Sequence, residues 1–327
     1  MKRFITQPRD AWLERIARSG VVLGNRASRC MWNERLCVGI SFEDAEALQN
    51  RAECLYHDMI TLTNEAIEER HLNDFDFSLE EARTISRSWE MSDYAPTLFT
   101  RIDYLVSRGE RPRFIGMASG LSALLLETAV AQWDWLVEMY PGATQFNTIS
   151  ERLMEAWREY HLTGRKVHVA YDPNDVRDLN IAEYLAESAS LAGVNAVATP
   201  VGALSLASDQ SGIVDVDGDS VDVLITEWES FRLSGESLWK ASDRLNVCLV
   251  EPHWKRLWKH PHWLAYCRRR VSSARDFVEG TPSTLHSEGA VICSVWLVAG
   301  KVSGLGFSSS INVSRAGVRE FIPHLLM

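Results

Sequence analysis

The 327-residue sequence predicts an α+β fold in which helices and a hairpin precede a small parallel sheet. Two observations predict this class. Apolar residues recur at helical spacing in the first third of the chain, whereas short apolar runs later alternate with a helical pattern. We therefore expect a helical and strand region at 1–163, a small α/β region at 164–250 and a C-terminal region at 251–327.

Two helices are predicted near the N-terminus. The first runs from Ser41 to His71, because it opens with Ser-Phe-Glu-Asp and then carries apolar residues near helical spacing. The second follows Ser78-Leu-Glu-Glu, whose Ser and second Glu have the spacing of a capping box. This helix carries Trp89.

A hairpin and two more helices complete the first region. Alternation from Leu98 to Val106, and a short apolar run from Pro112 to Met117, predict two paired strands around a turn. A helix is expected from Ser122 to Tyr140, because Pro141-Gly142 ends it, and another from Thr148 to His161.

The pattern of apolar residues changes after Gly164. Four short apolar runs predict strands, and Leu179 to Ala192 predicts a helix that Gly193 ends. Strands that alternate with a helix in this way favour a parallel sheet. The four predicted strands are Val167–Tyr171, Val194–Thr199, Val221–Thr226 and 245–250.

The C-terminal region combines a Trp-rich helix with two strands. The helix is predicted from His253 to Arg270. The strands, Val291–Val298 and Val302–Phe307, are separated by Ala299-Gly300-Lys301, which predicts a hairpin turn. Trp133, Trp135 and Trp157 fall in the earlier helices and are predicted to be packing residues.

Composition limits the classes of function. With 46% hydrophobic and 24% charged residues, the chain has an ordinary globular balance. Its net charge of −10 argues against nucleic acid as the main partner, because phosphates select clustered cations. No apolar run is long enough for a membrane span, and the six cysteines form no C-x-x-C pair. We expect a cytoplasmic protein with reduced thiols.

Several separated motifs carry a resemblance to one family. The most specific is a block from Leu125 to Trp157, which contains Leu-Leu-Glu-Thr-Ala-Val-Ala-Gln-Trp-Asp-Trp-Leu and Gln-Phe-Asn. Shorter matches are Trp32-Asn-Glu34, Arg101-Ile-Asp103, Glu251-Pro-His-Trp-Lys255 and Phe321-Ile-Pro-His324. Together they resemble the glutathionylspermidine synthase family, in order and along nearly the whole chain.

The resemblance implies an ATP-grasp-like glutathionylspermidine synthase scaffold. Members of that family activate a carboxylate as an acyl phosphate, which an amine then displaces. Such chemistry requires magnesium, held by oxygen ligands, and cationic side chains around the triphosphate. It also requires a flap that excludes water.

The metal-binding stretch that the resemblance implies is altered here. The family's Glu, Asn and Asp positions fall on Gly116, Ala118 and Gly120, none of which has a side-chain oxygen. Arg101 and Asp103 do match the family's Arg-x-Asp, where Arg contacts the reacting groups and Asp helps bind metal. We name these two as the retained catalytic positions. The alternative is that they pair with each other or with the backbone.

The nucleotide-binding positions are altered as well. Lys255 and Lys259 are the candidate cofactor-binding residues, although the family's second lysine aligns with Pro261 rather than Lys259. The segment between Tyr266 and Gly289 is too short for the helices and strands that carry the flap, and Ser308 replaces an arginine. The resemblance therefore implies a reduced nucleotide-binding subdomain and no metal site.

We interpret the chain as a degenerate, catalytically inactive member that acts as a binding or regulatory partner. A protein partner such as an active paralogue is expected, and no cofactor. The alternative is an ATP-dependent carboxylate–amine ligase that has rebuilt its site from Arg101, Asp103, Glu127 and Lys255. This alternative would use ATP and magnesium. A third hypothesis, a ligase-derived enzyme with ATP-independent chemistry, is favoured by no motif.

Overall fold

A computed structural model of the chain describes residues 1–23, 30–69, 71–92, 97–107, 109–120, 124–160, 162, 164–209, 211–226, 247–271, 290–310 and 319–327. The chain forms two compact units. Unit 1 comprises Met1–Leu62, Thr100–Ile149 and Pro261–Met327, and unit 2 comprises Thr63–Phe99 and Ser150–His260. The mixture of helices and sheets confirms the α+β class, and the region boundaries drawn from the sequence stay predictions.

The strands and helices are as follows in chain order. The strands are β1 (Lys2–Ile5), β2 (Cys30–Trp32), β3 (Leu36–Ile40), β4 (Phe99–Val106), β5 (Arg113–Ser119), β6 (Lys166–Tyr171), β7 (Asn195–Pro200), β8 (Ser205–Leu206), β9 (Ile213–Val214), β10 (Val223–Ile225), β11 (Cys248–Val250), β12 (Val291–Val298), β13 (Lys301–Ser310), β14 (Arg319–Ile322) and β15 (His324–Leu326). The α-helices are α1 (Trp12–Arg18), α2 (Phe42–Glu68), α3 (Leu79–Glu90), α4 (Gln132–Met139), α5 (Ile149–Glu159), α6 (Val176–Leu191), α7 (Arg256–Lys259) and α8 (Trp263–Arg270).

Unit 1 contains two sheets. One has six strands in the order β2-β14-β13-β12-β4-β5, and the other has three in the order β1-β3-β15. The predicted hairpins β4–β5 and β12–β13 both form as antiparallel pairs. Ala299 and Gly300 turn the second hairpin with φ of 49° and 76°, the positive values that a two-residue type I′ turn needs.

Helix α4 and the turn before it contact strands β15 and β13 of unit 1, which also contains most of α2. The predicted N-terminal helix is α2, whose first turn is capped by Ser41 through a hydrogen bond from the Asp44 amide at 3.2 Å. Before α4 the chain makes a π-helical turn, Glu127–Ala131. The predicted start of this helix at Ser122 lies outside the described residues. Gly306 of β13 brings the sheet close to this turn, because a β-carbon there would lie 2.7 Å from Thr128 Oγ1.

Unit 2 is built on the predicted parallel sheet, with the strand order β11-β10-β6-β7. Helix α6 begins after Asp175, whose side chain accepts a hydrogen bond from the Arg177 amide. Helix α3 begins at the predicted capping box, in which Ser78 and Glu81 exchange hydrogen bonds. The first two residues of the predicted strand 245–250 lie outside the described residues.

Two predictions about the tryptophan-bearing helices are wrong. The segment from His253 to Arg270 is not one helix: a 3-10 turn (His253–Lys255) and α7 are separated from α8 at Pro261. Proline lacks an amide hydrogen and disfavours helical geometry in the preceding residue, and His260 is extended there with ψ of 135°. Trp133 is 47% exposed, whereas Trp135 and Trp157 are fully buried as predicted.

None of the helices in the described part of the chain combines the length and the apolar character that a bilayer crossing requires. The cysteines whose side chains are described, Cys37, Cys54, Cys248, Cys267 and Cys293, are all free thiols.

Candidate functional site

Arg101 and Asp103 form an ion pair on one face of β4. Side chains two apart on a strand point the same way, so the Arg-x-Asp spacing places them side by side. Arg101 Nε donates to Asp103 Oδ1 at 2.9 Å, and Nη2 donates to Oδ2 at 3.1 Å. Both side chains are buried. The geometry of unit 1 therefore matches the alternative in which Arg101 and Asp103 pair with each other.

Strand β12 supplies two further groups to this pair. Ser294 Oγ donates to Asp103 Oδ1 at 2.7 Å. The guanidinium carbon of Arg101 lies 5.7 Å from the centre of the Trp296 ring, within the range of a cation–π interaction. Burial raises the pKa of the neighbouring Cys293 thiol, and the charge of Asp103 raises it further. We call Arg101, Asp103, Ser294 and Trp296 the Arg101 cluster.

The altered metal positions lie directly beside this cluster. In the antiparallel register, Gly116 of β5 is opposite Asp103, and Ala118 is opposite Arg101. Gly120 follows β5 with φ of 100°, a conformation that favours glycine. Among the described residues, no heavy atom lies within 4 Å of the point that a β-carbon on Gly116 would occupy. A larger side chain at position 116 would therefore extend next to Asp103.

The residues of the Arg101 cluster do not fit a magnesium ion. Magnesium prefers several oxygen ligands, usually carboxylates. The carboxylate of Asp103 already accepts hydrogen bonds from Arg101 and Ser294, and Gly116 and Ala118 add no side-chain oxygen. In the parts of the chain that the structure describes, no group of three or more His, Cys, Asp or Glu residues could hold a metal.

The second candidate region is the Glu251-Pro-His-Trp-Lys255 motif of unit 2. The Glu251 carboxylate accepts hydrogen bonds from the amides of Leu98 and Phe99 at 3.0 and 2.7 Å. Thr97 Oγ1 donates to the same carboxylate at 3.2 Å. A largely buried carboxylate is stabilised by such donors, so Glu251 fixes residues 97–99, the last of which begins β4.

Lys255 is held by the same network. Its ammonium donates to the carbonyl oxygen of Phe99 at 2.7 Å and to Glu251 Oε2. The 3-10 turn after Pro252 brings Lys255 back towards Glu251, and the residue is only 2% exposed. The ammonium also lies 6.0 Å from the centre of the Trp258 ring. We call Thr97, Leu98, Phe99, Glu251 and Lys255 the Lys255 network.

Lys259, the other lysine candidate, is the last residue of α7 and is exposed. Arg101 and Asp103 belong to unit 1, whereas Lys255 and Lys259 belong to unit 2. The structure thus brings Arg101 to Asp103 and Lys255 to Glu251. Ser308, at the altered arginine position, is buried in β13 and brings no charge.

The first part of the most specific motif, from Leu125 to Ile149, belongs to unit 1. Gln132 Nε2 donates to the carbonyl oxygens of Thr128 and Leu305, and Gln132 Oε1 lies 2.8 Å from His324 Nδ1. Gln145 Nε2 donates to the carbonyl oxygens of Gln132 and His324. Burial lowers the pKa of His324 to about 3. Gln132 and Gln145, which both lie within the motif, therefore join it to the C-terminal strands β13 and β15 and give it a structural role.

The sequence did not predict a second buried ion pair in unit 1. Arg9 Nη2 donates to Glu34 Oε1 at 2.7 Å, and Trp32 Nε1 donates to the same oxygen at 3.1 Å. Trp32 and Glu34 belong to the Trp32-Asn-Glu34 motif. The partner Arg9 lies 25 residues earlier, and no local pattern marks it.

Comparison with known proteins identifies relatives. The model of a family described as Glutathionylspermidine synthase preATP-grasp matches residues 3–267. A Haemophilus influenzae protein with the name "Putative acid--amine ligase" is 22% identical over 262 residues, which are 71% of this chain and 63% of that protein. The chain thus covers less than two thirds of that relative's length. Because the family model spans most of the chain, the chain belongs to the glutathionylspermidine synthase preATP-grasp family.

Proposed function

We propose that this chain is a catalytically inactive member of its family, which acts as a binding or regulatory partner of another protein. One observation carries the proposal. The carboxylate of Asp103 is engaged by Arg101 and Ser294, and the cross-strand positions that would add metal ligands are Gly116 and Ala118. A phosphoryl-transfer site without a metal position lacks the charge that stabilises the transferring group.

The Lys255 network supports the same proposal. A lysine that contacts a nucleotide needs its ammonium directed at phosphate oxygens. Lys255 instead donates to Glu251 and to the Phe99 carbonyl oxygen inside unit 2. Its contribution is then to hold the start of β4 in place rather than to bind ATP.

The proposal includes an ATP-grasp-like scaffold with a reduced nucleotide-binding subdomain. The description of the family that matches supports the scaffold. The short segment between Tyr266 and Gly289 supports the reduction, because it leaves little chain for a flap. A site without such a flap does not exclude water from an acyl phosphate. An active paralogue is the partner that we propose, since a shared scaffold provides matching surfaces.

The alternative function is an ATP-dependent carboxylate–amine ligase with a rebuilt site. The name of the Haemophilus influenzae relative favours it, as does the lack of any described heavy atom within 4 Å of a β-carbon at position 116. This alternative would require Arg101 to leave Asp103 when MgATP binds, so that the carboxylate becomes available to the metal.

Isothermal titration of MgATP into the purified chain, with thermal unfolding in parallel, tests the proposal. A ligand that binds only the native state raises the melting temperature by mass action. We expect neither heat nor a shift at millimolar MgATP, and no release of phosphate when acids and amines are supplied. Micromolar binding that Arg101→Ala abolishes would instead support the ligase, and turnover would establish it.

A complex with an active homologue is the positive test of the partner role. The purified chain and an intact family member from the same source should co-elute, and the partner's rate of ATP use should change. If the homologue's rate and elution are the same with and without this chain, the partner role is wrong.

A further inference from the structure

Strand β7 lies at an edge of the parallel sheet of unit 2. The strand order is β11-β10-β6-β7, and in the described part of the chain β7 pairs with β6 alone. An edge strand presents a row of backbone N–H and C=O groups with which a further strand can pair. Asn195 and Val197 of β7 are both exposed, Val197 by 37% of its surface.

The residues of β7 leave this edge unprotected. From Asn195 to Pro200 the strand carries no charged side chain. Natural proteins usually block a free edge with charges, above all lysine, or with proline on the strand. The edge strand β1 of unit 1 follows that rule, since it contains Lys2 and Arg3, whereas the proline of β7 is its last residue. Strand β7 is therefore suited to pair with a further strand.

Charge favours a second copy of this chain as the source of that strand. The chain has a net charge of −10, so two copies repel each other unless they meet where charge is absent. When β7 pairs antiparallel with β7 of a second copy, only uncharged side chains lie opposite one another in every register within the strand. This pairing also uses both free edges, whereas a different partner would need a free edge of its own.

We propose that β7 is the docking edge for a second copy of this chain, which pairs with it antiparallel about a two-fold axis. The four-stranded sheets of the two copies then form one sheet of eight strands. Such a dimer is closed, because each copy uses the same strand. The proposal goes beyond the proposed function and does not depend on whether the chain is catalytically active.

The two-fold axis determines which side chains meet. An axis perpendicular to the sheet keeps the same face of both copies on the same side, so the two Val197 side chains point to one face. Directly opposite residues of antiparallel strands have β-carbons about 4.5–5.5 Å apart, and diagonal neighbours are about 7–8 Å apart. Charges introduced at position 197 of both copies therefore interact across the axis.

The contact is small, so the dimer should be weak. Strand β7 has six residues, and an interface that buries less than about 1,200 Å² in total is typical of weak or transient complexes. We therefore expect a dissociation constant on the order of tens of micromolar.

Sedimentation velocity of the purified chain, at concentrations from micromolar to several hundred micromolar, measures this association. We expect a reversible equilibrium between monomer and dimer. Val197→Lys places two ammonium groups across the axis and should weaken the dimer by about tenfold or more. Val137→Lys is the matched control, because Val137 is 52% exposed and lies on α4 in unit 1, so the same change there should leave the dimer unaltered.

Three results of this experiment would overturn the proposal. The first is an unaltered chain that stays monomeric throughout the range, which would leave β7 to a different partner. The second is assembly into larger open species instead of dimers. The third is a Val197→Lys variant that dimerises as tightly as the unaltered chain, or a dimer that only Val137→Lys weakens.

Opposite charges test the two-fold pairing itself. Val197→Lys and Val197→Glu should each dimerise weakly when alone, because like charges meet across the axis. An equimolar mixture should dimerise about tenfold more tightly than either variant, because unlike charges then face each other. Circular dichroism shows that each variant is folded. If folded variants associate no better when mixed, the two Val197 side chains do not face each other and the proposal is wrong.

Hydrogen exchange of the unaltered chain covers failure of the variants to fold. Amides of β7 should exchange more slowly at high than at low protein concentration, because pairing with a second copy protects them. Amides of β1 are the control and should not change. Exchange of β7 that is independent of concentration would overturn the proposal. Since these measurements use this chain alone, without nucleotide or homologue, their failure leaves the proposed function standing.

Discussion

The ammonium of Lys255 donates to the carbonyl oxygen of Phe99 across 156 residues of sequence, at 2.7 Å. This contact and the ion pair with Glu251 join two distant segments of unit 2. Lys255 belongs to a motif that also suggests nucleotide binding, so the two roles predict different consequences of its removal.

Lys255→Met should destabilise the protein by about 3–5 kcal/mol, because it leaves the buried carboxylate of Glu251 without its counter-charge. Urea unfolding, followed by circular dichroism, measures this loss. Lys259→Met is the control and should change the free energy of unfolding by about 0.5 kcal/mol or less, since Lys259 is exposed. Equal stability of the two variants would show that Lys255 is not a structural residue.

Two glycines of the same sheet should respond differently to alanine. Gly306→Ala places a β-carbon 2.7 Å from Thr128 Oγ1 and 3.1 Å from the Phe321 ring, so we expect a loss of about 1–3 kcal/mol. Gly116→Ala meets no described atom within 4 Å and should be neutral or slightly stabilising. Urea midpoints compare them. If Gly116→Ala is as unstable as Gly306→Ala, the expectation of open space beside Asp103 at position 116 is wrong.

Buried histidines should make the protein less stable in acid. Burial lowers the pKa of His324 to about 3, and burial together with the charge of Arg256 lowers that of His253 to about 3. Between an ordinary value near 6.5 and these values, the unfolded chain binds more protons than the folded one. Stability therefore falls as the pH drops below about 6.5, by about 1.4 kcal/mol per pH unit for each histidine.

Urea unfolding at a series of pH values from neutral to mildly acidic measures this slope. His324→Gln should reduce the slope of the free energy of unfolding against pH by the contribution of one proton. The same change also alters the contact with Gln132. Because that second effect does not depend on pH, the slope and not the absolute stability is decisive. An unchanged slope would mean that His324 is already protonated, or is not buried, in solution.

Trp133 and Trp135 should differ although they lie two residues apart on α4. Trp135 is fully buried and packs near Tyr140, with ring centres 5.4 Å apart. Trp135→Ala should cost about 3–5 kcal/mol, whereas Trp133→Ala should cost about 0.5 kcal/mol or less. Acrylamide quenching of tryptophan fluorescence should also fall when Trp133 is replaced. Comparable losses of stability would contradict the exposed position of Trp133.

Features that depend on neighbouring residues were predicted well from the sequence. The capping box at Ser78 and Glu81, the β4–β5 hairpin and the turn at Ala299 and Gly300 are all present. Each is determined by the conformational preferences of a few adjacent residues. The break at Pro261 follows from the same local preferences. The aromatic residues on both sides of Pro261 nevertheless favour one continuous helix, which is why the sequence predicts no break.

Features that depend on distant residues could not be predicted from local patterns. The sequence named Asp103 and Lys255, but their partners Ser294 and Phe99 lie 191 and 156 residues away. The exposure of Trp133 likewise depends on which side of α4 faces the sheets. Because α4 carries tryptophans on two sides, its sequence alone does not specify which side is buried. The loss of catalytic activity at Arg101 and Asp103 stays a prediction.

The strand order of unit 1 has a consequence for synthesis on the ribosome. Strand β3 pairs with β1 at the start of the chain and with β15 at its other end, and β2 pairs with β14. Chains emerge from the N-terminus, so β2, and the edge of β3 that pairs with β15, must wait for partners that are made almost 300 residues later. Nascent chains should therefore expose unpaired strand edges until β14 and β15 have been made, and slow translation should increase their dependence on chaperones.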